Sequence, residues 1–389
     1  MKKLLSLILA FLITVTFAGC ESSQQPSGPF APERTVIARK GVKKTDDLAN
    51  TYYKLTQDNR LKIAYLGGSV TDGQGGERGY CWRTATTKWF KTNFPKANIT
   101  DVNKAVGATG SYWGFFRLDE DIIGQSPDLI FVEFAINDLY VNLTKEQSMA
   151  NMEGIVCKIR EFLPKADIVF VFVTDEERVG QEYTAVAAHK SIAQHYGIPY
   201  INVGEALAKD MQLKGNRWKN YSNDNVHPNN YGYKIYADCV AEFLKESFVT
   251  APPKVKELKE HKMPSSDYIS NVSKSSKVVM AKDITDIQGC KLLSLSNQAF
   301  YFTDKSLYCA KGNVINFNFK GIGLGMMAEA REDSSVLITV DDQEPQVVKL
   351  NADCIEHILL DNLTNTEHSV KIEIYEGKRI VVGALLVAQ

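Results

Sequence analysis

Between residues 67 and 228 four short clusters carry side chains suited to acyl-transfer chemistry. Gly67-Gly68-Ser69-Val70-Thr71 presents a small hydroxyl after two glycines that permit a tight turn. Asn103-Lys104-Ala105-Val106-Gly107-Ala108-Thr109-Gly110-Ser111 is rich in small residues, which let a backbone N–H approach a developing oxyanion. Ala135-Ile136-Asn137-Asp138 offers a side-chain amide as a further donor, and Asp224-Asn225-Val226-His227-Pro228 sets a carboxylate three residues ahead of an imidazole. At that spacing the Asp can accept from one ring nitrogen and aim the other at a nucleophile, the logic of a serine triad. Each cluster also has a plain structural reading: a Ser-capped loop, an amide serving loop backbone, an Asp cap on a helix starting near Pro228. Their order and number favour catalysis. The first cluster is not GxSxG, which excludes an ordinary α/β-hydrolase elbow there.

The elements around the clusters are those such chemistry needs. Residues 61–66, 129–134 and 168–173 are nearly continuous apolar runs, as expected of parallel strands covered on both faces, with 100–103 and 200–202 as shorter candidates. Residues 80–93, 145–162, 182–196 and 231–247 carry apolar side chains at helical spacing. This alternation predicts one doubly wound parallel α/β sheet over residues 56–250. Ligands in such sheets sit beyond the carboxyl ends of the strands, where the first three clusters fall. Ala251-Pro252-Pro253 opens a Lys/Glu/Ser-rich linker, 251–276. The periodicity then changes to two in 314–319, 335–340, 369–374 and 380–387, predicting an all-β sandwich over 277–389.

In combination the clusters resemble the blocks of the SGNH, or GDSL-type, hydrolase family. Residues 67–71 are similar to its first block, with Gly68 where the family often has Asp. Residues 103–111 are similar to the second, with Ala108 at the usual glycine and Gly107 beside it; 135–138 to the third, with Ala135 for Gly; and 224–227 to the fifth, without departure. The resemblance covers 61–249 and implies a flavodoxin-like sheet carrying an esterase site. It implies Ser69 as nucleophile, His227 as general base and then acid, and Asp224 as the group orienting His227. The oxyanion hole it implies comprises the N–H of Ser69, the N–H of Gly107 or Ala108, and the Asn137 amide. Glu133 interrupts its apolar strand, so it needs a partner such as Arg117 or Lys104, or else it meets substrate. Tyr80, Trp82, Tyr112, Trp113 and Tyr140 flank the motif loops and are either core or a sugar-stacking wall; Glu133, Trp113 and Tyr140 are the candidate substrate contacts. No metal-ligand spacing or nucleotide-binding glycine loop competes, so no cofactor is expected.

Lys2 and Lys3 precede an apolar run over 4–17, long enough for a signal core and short for a membrane span. Phe17-Ala18-Gly19-Cys20 resembles a bacterial lipoprotein processing site, with Phe17 in place of the usual Leu. That implies a signal peptide over 1–20, a lipid on Cys20, and export to a membrane facing the periplasm or the outside. An ordinary secretory signal is the alternative. Residues 21–55 form a tether and N-terminal segment, with 21–29 polar and aperiodic. The 389 residues hold 45 Lys and Arg against 46 Asp and Glu, a net charge of −1, which leaves no basic excess for nucleic acid. At 44% hydrophobic and 23% charged, the chain is neither a disordered nor a polytopic membrane protein. Beyond Cys20, Cys81, Cys157 and Cys239 precede the linker while Cys290, Cys309 and Cys354 follow it, without a CxxC pair; buried free thiols are expected rather than disulfides.

Lys320-Gly321-Ile322-Gly323-Leu324-Gly325, Val340-Asp341-Asp342 and Glu367-His368-Ser369-Val370 look like turns of the jelly-roll module of some carbohydrate esterases. That resemblance implies an acetylated polysaccharide as substrate, and no apolar lid sequence stands near Ser69 to suggest a lipase. The first expectation is therefore a carbohydrate acetylesterase whose only membrane contact is its lipid anchor. A lipid or aryl esterase or thioesterase with the same triad, and an inactive glycan-binding surface protein, stay open.

Overall fold

The computed structural model describes residues 42–43, 48–269, 273–294, 300–330 and 332–389. The expected lipidation site Cys20, the signal segment and most of 21–55 lie outside the described residues. The first sheet holds β1 (Val42–Lys43), β2 (Arg60–Gly67), β3 (Asn98–Ala105), β4 (Leu129–Glu133), β5 (Asp167–Phe172) and β6 (Tyr200–Asn202). Their spatial order is β1-β6-β5-β4-β2-β3, with β1 antiparallel and the other five parallel. The parallel part is the doubly wound, flavodoxin-like arrangement, and its connections change direction between β2 and β4. Every residue of β4 and β5 is buried, as continuous apolar runs with helices on both faces require.

The helices are α1 (Ala49–Thr56), α2 (Ser69–Asp72), α3 (Trp82–Asn93), α4 (Ser111–Phe116), α5 (Leu118–Asp121), α6 (Ala135–Tyr140), α7 (Lys145–Phe162), α8 (Thr184–His195), α9 (Val203–Lys214) and α10 (Asn230–Lys245). Two of the short ones, α2 and α6, start directly beyond the motif strands β2 and β4, while α4 follows β3 after the loop 106–110. Three of the longer helices, α7, α9 and α10, begin at side-chain caps. Thr144 and Gln147 exchange backbone and side-chain hydrogen bonds at 3.1 Å to start α7, and Asn202 Oδ1 accepts from Glu205 N at 2.9 Å to start α9. Asn229, not Asp224, caps α10, its Oδ1 accepting from the N–H groups of Tyr231 and Gly232.

The second domain is entirely antiparallel. It comprises β7 (Ser276–Met280), β8 (Ile287–Gln288), β9 (Lys291–Ser294), β10 (Lys305–Cys309), β11 (Val314–Gly321), β12 (Gly323–Ala330), β13 (Ser334–Val340), β14 (Gln346–Leu350), β15 (Glu356–Leu360), β16 (Thr366–Glu376) and β17 (Ile380–Ala388). One sheet runs β15-β12-β17-β10-β9, with β7 also on β17, and the other runs β14-β13-β16-β11-β8. Side chains such as Ile315, Leu324, Val336, Ile372 and Leu385 meet between them in a sandwich core. One cysteine expectation is corrected here: Cys290 and Cys309 form a disulfide within this sandwich, while Cys81, Cys157, Cys239 and Cys354 are buried free thiols. Strand pairing brings β10 and the segment before β9 together, a proximity that sequence spacing does not reveal.

The two domains are not beads on a string. Met327, Val381, Ala384 and Leu386 of the sandwich belong to the same apolar cluster as the α/β core. Gly325 permits a close approach: a Cβ there would come within 2.7 Å of the Tyr112 ring. The connecting segment is itself held, with Asn50 exchanging two hydrogen bonds with the Lys259 backbone and Glu153 accepting from the N–H groups of Tyr268 and Ile269.

Candidate active site

The imidazole is held by residues that are its neighbours in sequence. Asp224 Oδ1 accepts from the N–H of Val226 at 2.7 Å and of His227 at 2.6 Å, folding the segment into a tight loop. The other oxygen, Oδ2, lies 2.8 Å from His227 Nδ1. Ser222 Oγ reaches the carbonyls of Asp224 and His227, and Trp218 Nε1 donates to the Asp224 carbonyl at 2.6 Å. Partial burial pushes the Asp224 carboxyl up, but the two N–H groups and the His227 ring outweigh it and hold the group below its usual range. It is therefore anionic at neutral pH, although its side chain is 51% exposed.

His227 Nε2 lies 2.8 Å from Ser69 Oγ, across 158 residues of sequence. With Nδ1 donating to Asp224, Nε2 is the acceptor that a serine nucleophile needs. Ser69 opens α2 just beyond β2, so its N–H stands in the first helical turn without an intrahelical acceptor. Tyr233 Oη fastens this turn by donating to the carbonyls of Val70 and Gln74.

The two other segments expected to supply donors lie against this turn. Gly107 lies on the exposed loop after β3, and a Cβ built on it would sit 3.6 Å from Ser69 Cβ. Val106 N donates to the Gly67 carbonyl and Thr109 Oγ1 to the Val106 carbonyl, which close the loop around Ala108. Ala108 has φ of 59°, in the left-handed region that favours glycine. Asn137, in α6 after β4, lies against Gly68, whose Cβ, if present, would come within 2.7 Å of Asn137 Cγ. This contact explains why glycine precedes the serine. Asn137 Oδ1 is buried without a partner, and Nδ2 has no protein acceptor among the described residues. The Asn137 amide thus stands against Gly68, beside the serine, without a protein partner among the described residues.

Several sequence expectations are redirected. Glu133 is completely buried at the end of β4 and accepts from Thr71 Oγ1 at 2.7 Å, so it props the nucleophile turn from beneath and has no surface for substrate. The expected cations go elsewhere: Arg117 binds Asp121 and the carbonyls of Lys104 and Gly67, and Lys104 binds Asp121. Burial pushes the Glu133 carboxyl up to about 8, against the hydrogen bonds from Thr71 and the Gly68 backbone. The aromatic wall is mostly core. Trp82 packs on Tyr65 and Phe131, Tyr112 lies under Gly325, and Trp113 is 3% exposed against Phe302 and Tyr301 of the sandwich. Tyr80 is half-buried and Tyr140 is exposed, the latter donating to Asp175 at 2.9 Å beneath the Arg178 guanidinium. Among the described residues no group of three His, Cys, Asp or Glu is arranged to hold a metal ion.

Two carboxylates to which the sequence assigned no role, Asp138 within the third cluster and Glu356 far outside the clusters, hold the turn that follows the Gly107 loop. Asp138, next to Asn137, accepts from Ser111 N at 2.6 Å, Ser111 Oγ at 2.8 Å and Ser148 Oγ at 2.6 Å, and lies 2.9 Å from His189 Nε2. Glu356, from the sandwich, accepts from the N–H groups of Gly110 and Trp113.

Residues 65–235 match the model of the GDSL-like Lipase/Acylhydrolase family. No curated protein matches the sequence. Among solved structures, a two-domain esterase (CEX) active on acetylated mannans is similar at 20% identity and a TM-score of 0.77, over 90% of this chain and 98% of that one. A structure of that kind co-crystallized with mannopentaose aligns at 20% identity and a TM-score of 0.74 over the same shares. At this identity the likeness shows that the two-domain fold is common to both chains.

Proposed function

We propose, from the match of residues 65–235 to the GDSL-like lipase/acylhydrolase model, that the chain is a serine esterase that removes O-acetyl groups from an extracellular polysaccharide or oligosaccharide. The observation that carries this reading is the unbroken relay from Asp224 through His227 to Ser69, with the Gly107 loop beside Ser69 and the Asn137 amide against Gly68. In the proposed cycle Ser69 Oγ attacks the ester carbonyl carbon while His227 Nε2 takes its proton. The carbonyl oxygen becomes an oxyanion held by the N–H groups of Ser69 and of Gly107 or Ala108, and by Asn137 Nδ2. Collapse breaks the bond to the sugar oxygen, which leaves with the proton from His227, and the acetyl group stays on Ser69. Water, deprotonated by His227, then attacks the acyl-enzyme; the same donors hold the second oxyanion, acetate leaves, and Ser69 recovers its proton.

The glycan part of the reading is supported by the two-domain likeness to an esterase active on acetylated mannans, a match that takes in the sandwich as well as the α/β domain. Cys20 is the proposed lipid attachment site that would hold the body near an exported glycan; retention of detergent-phase partitioning in Cys20→Ala would exclude it.

The test uses protein lacking residues 1–20 and follows acetate release from acetylated mannan, acetylated xylan and bacterial polysaccharides, beside aryl acetate, butyrate and octanoate esters. Release from a polysaccharide that vanishes in Ser69→Ala is expected. Turnover of the longer aryl esters alone would replace the reading with a lipid or general esterase, and Ser69-independent or absent turnover would end it.

A further inference from the structure

A stretch of three residues in the sandwich touches both segments that carry the outer oxyanion donors. Cys354 Sγ lies 3.3 Å from the carbonyl of Tyr140, the last residue of the α6 helix that holds Asn137. Two residues on, Glu356 opens β15 and reaches the turn following Gly107 and Ala108. One carboxylate oxygen accepts from Gly110 N, and the other accepts from Trp113 N at 2.7 Å. Glu356 is 3% exposed, so these bonds lie out of water, where a carboxylate bound by two backbone donors is a strong and directional fixture. Its placement leaves no slack: a Cβ on Gly110 would come within 2.8 Å of Asp138 Oδ1 and 3.2 Å of Glu356 Oε1. The 110–113 turn is therefore gripped between a carboxylate from each domain. The chain leading into it is exposed at Gly107 and Ala108 and carries a left-handed alanine, and it is tied at its start by Val106 N to the Gly67 carbonyl and by Thr109 Oγ1 to the Val106 carbonyl.

We propose that Glu356 is a positioning residue for ester hydrolysis, holding the 107–113 segment so that its N–H stays aimed at the oxyanion, and that this makes turnover depend on the C-terminal sandwich. The proposal rests on the esterase reading above. It assigns the sandwich a share in the chemical step, separate from any part in holding glycan. Displacing a donor by about an ångström costs on the order of a hundredfold in rate, so removing the grip should act on kcat. Burial pushes the Glu356 carboxyl up to about 7, Asp138 adds to this, and the two N–H groups and Arg117 oppose it; Tyr112 and Cys354 are the other titratable groups against it. Protonation would weaken the grip at acid pH.

The experiment compares Glu356→Ala, Glu356→Gln and Leu350→Ala, a core truncation in the far sheet that loosens the sandwich without touching the turn. With an aryl acetate, which requires no glycan binding, Glu356→Ala should lose about 10- to 100-fold in kcat with KM within about threefold. Glu356→Gln, which keeps one acceptor, should recover part of the loss, and Leu350→Ala should stay near wild type. Amide exchange of residues 107–113 should rise in Glu356→Ala and not in Leu350→Ala. A kcat within twofold of wild type in Glu356→Ala, or an equal loss in Leu350→Ala at matched stability, overturns the proposal. If wild type shows no Ser69-dependent turnover, the esterase reading falls by itself. In that case unchanged exchange protection in Glu356→Ala still overturns the grip, and lost protection still supports it.

Discussion

The base side and the oxyanion side of the site are built on opposite plans. On the base side, Trp218, Ser222, Asp224 and His227 hold one another within ten residues, in a loop whose carboxylate is half open to solvent. The oxyanion side is assembled at long range. Its loop is tied to the end of β2, to Asp138 after β4, and to Glu356, which lies 246 residues from Gly110. The difference follows from what each half must do. A base can rotate about its side-chain bonds and needs only a tautomer and a direction, which one neighbouring carboxylate supplies. A backbone N–H has no such freedom, so its aim is set by everything that fixes the chain around it.

That contrast can be broken or sharpened by substitution. The largest effect belongs to the point both sides share: Ser69→Ala should lower kcat by on the order of 10⁴- to 10⁶-fold in any ester assay, with the melting temperature unchanged. Asp224→Ala should cost toward the lower end of about 10³- to 10⁴-fold, because water can reach His227 Nδ1 at this exposed carboxylate; a loss equal to that of Ser69→Ala would mean the base side is less self-contained than its geometry shows. Asn137→Ala should cost about 10²- to 10³-fold in kcat with KM little changed, and an unaltered kcat would remove Asn137 from the site. Beneath both sides, the buried Glu133 has a folded-state pKa of about 8 against its usual 4.5. Its stabilising contribution is complete below that usual value and is lost as pH rises through 8. Glu133→Gln should therefore flatten the fall of stability toward alkaline pH, by an amount on the order of a few kcal/mol in urea titrations; an identical slope would contradict it. Smallest is Ala108→Gly, which should raise stability by up to about 1 kcal/mol in thermal melts while keeping activity, since glycine accepts the left-handed backbone that alanine resists.

The same contrast governs what could be read from the sequence. Asp224 and His227 are legible because their interaction is fixed by spacing, and the parallel strands because continuous apolar runs mark strands covered on both faces. The helix Val203–Lys214 lies beyond the expected set, since it follows a strand of three residues with hardly a turn between them. Glu133 is legible as a buried carboxylate, but its partner is the Thr71 hydroxyl delivered by the nucleophile turn and not a cation. Trp113 sits among the motif loops in sequence, yet it faces the sandwich, because the apolar face of α4 is where the second domain docks. Glu356, like the Cys290–Cys309 bond, depends on strand pairings that bring distant residues together, and no local pattern announces it.

The central claim is that Ser69 becomes acylated. Mixing the protein with an aryl acetate, quenching in acid and digesting should show the mass of one acetyl group on the peptide containing Ser69, and no such mass in Ser69→Ala. Turnover of the ester with the Ser69 peptide never modified, or an acetyl group found on another residue whose removal stops turnover, would contradict the account.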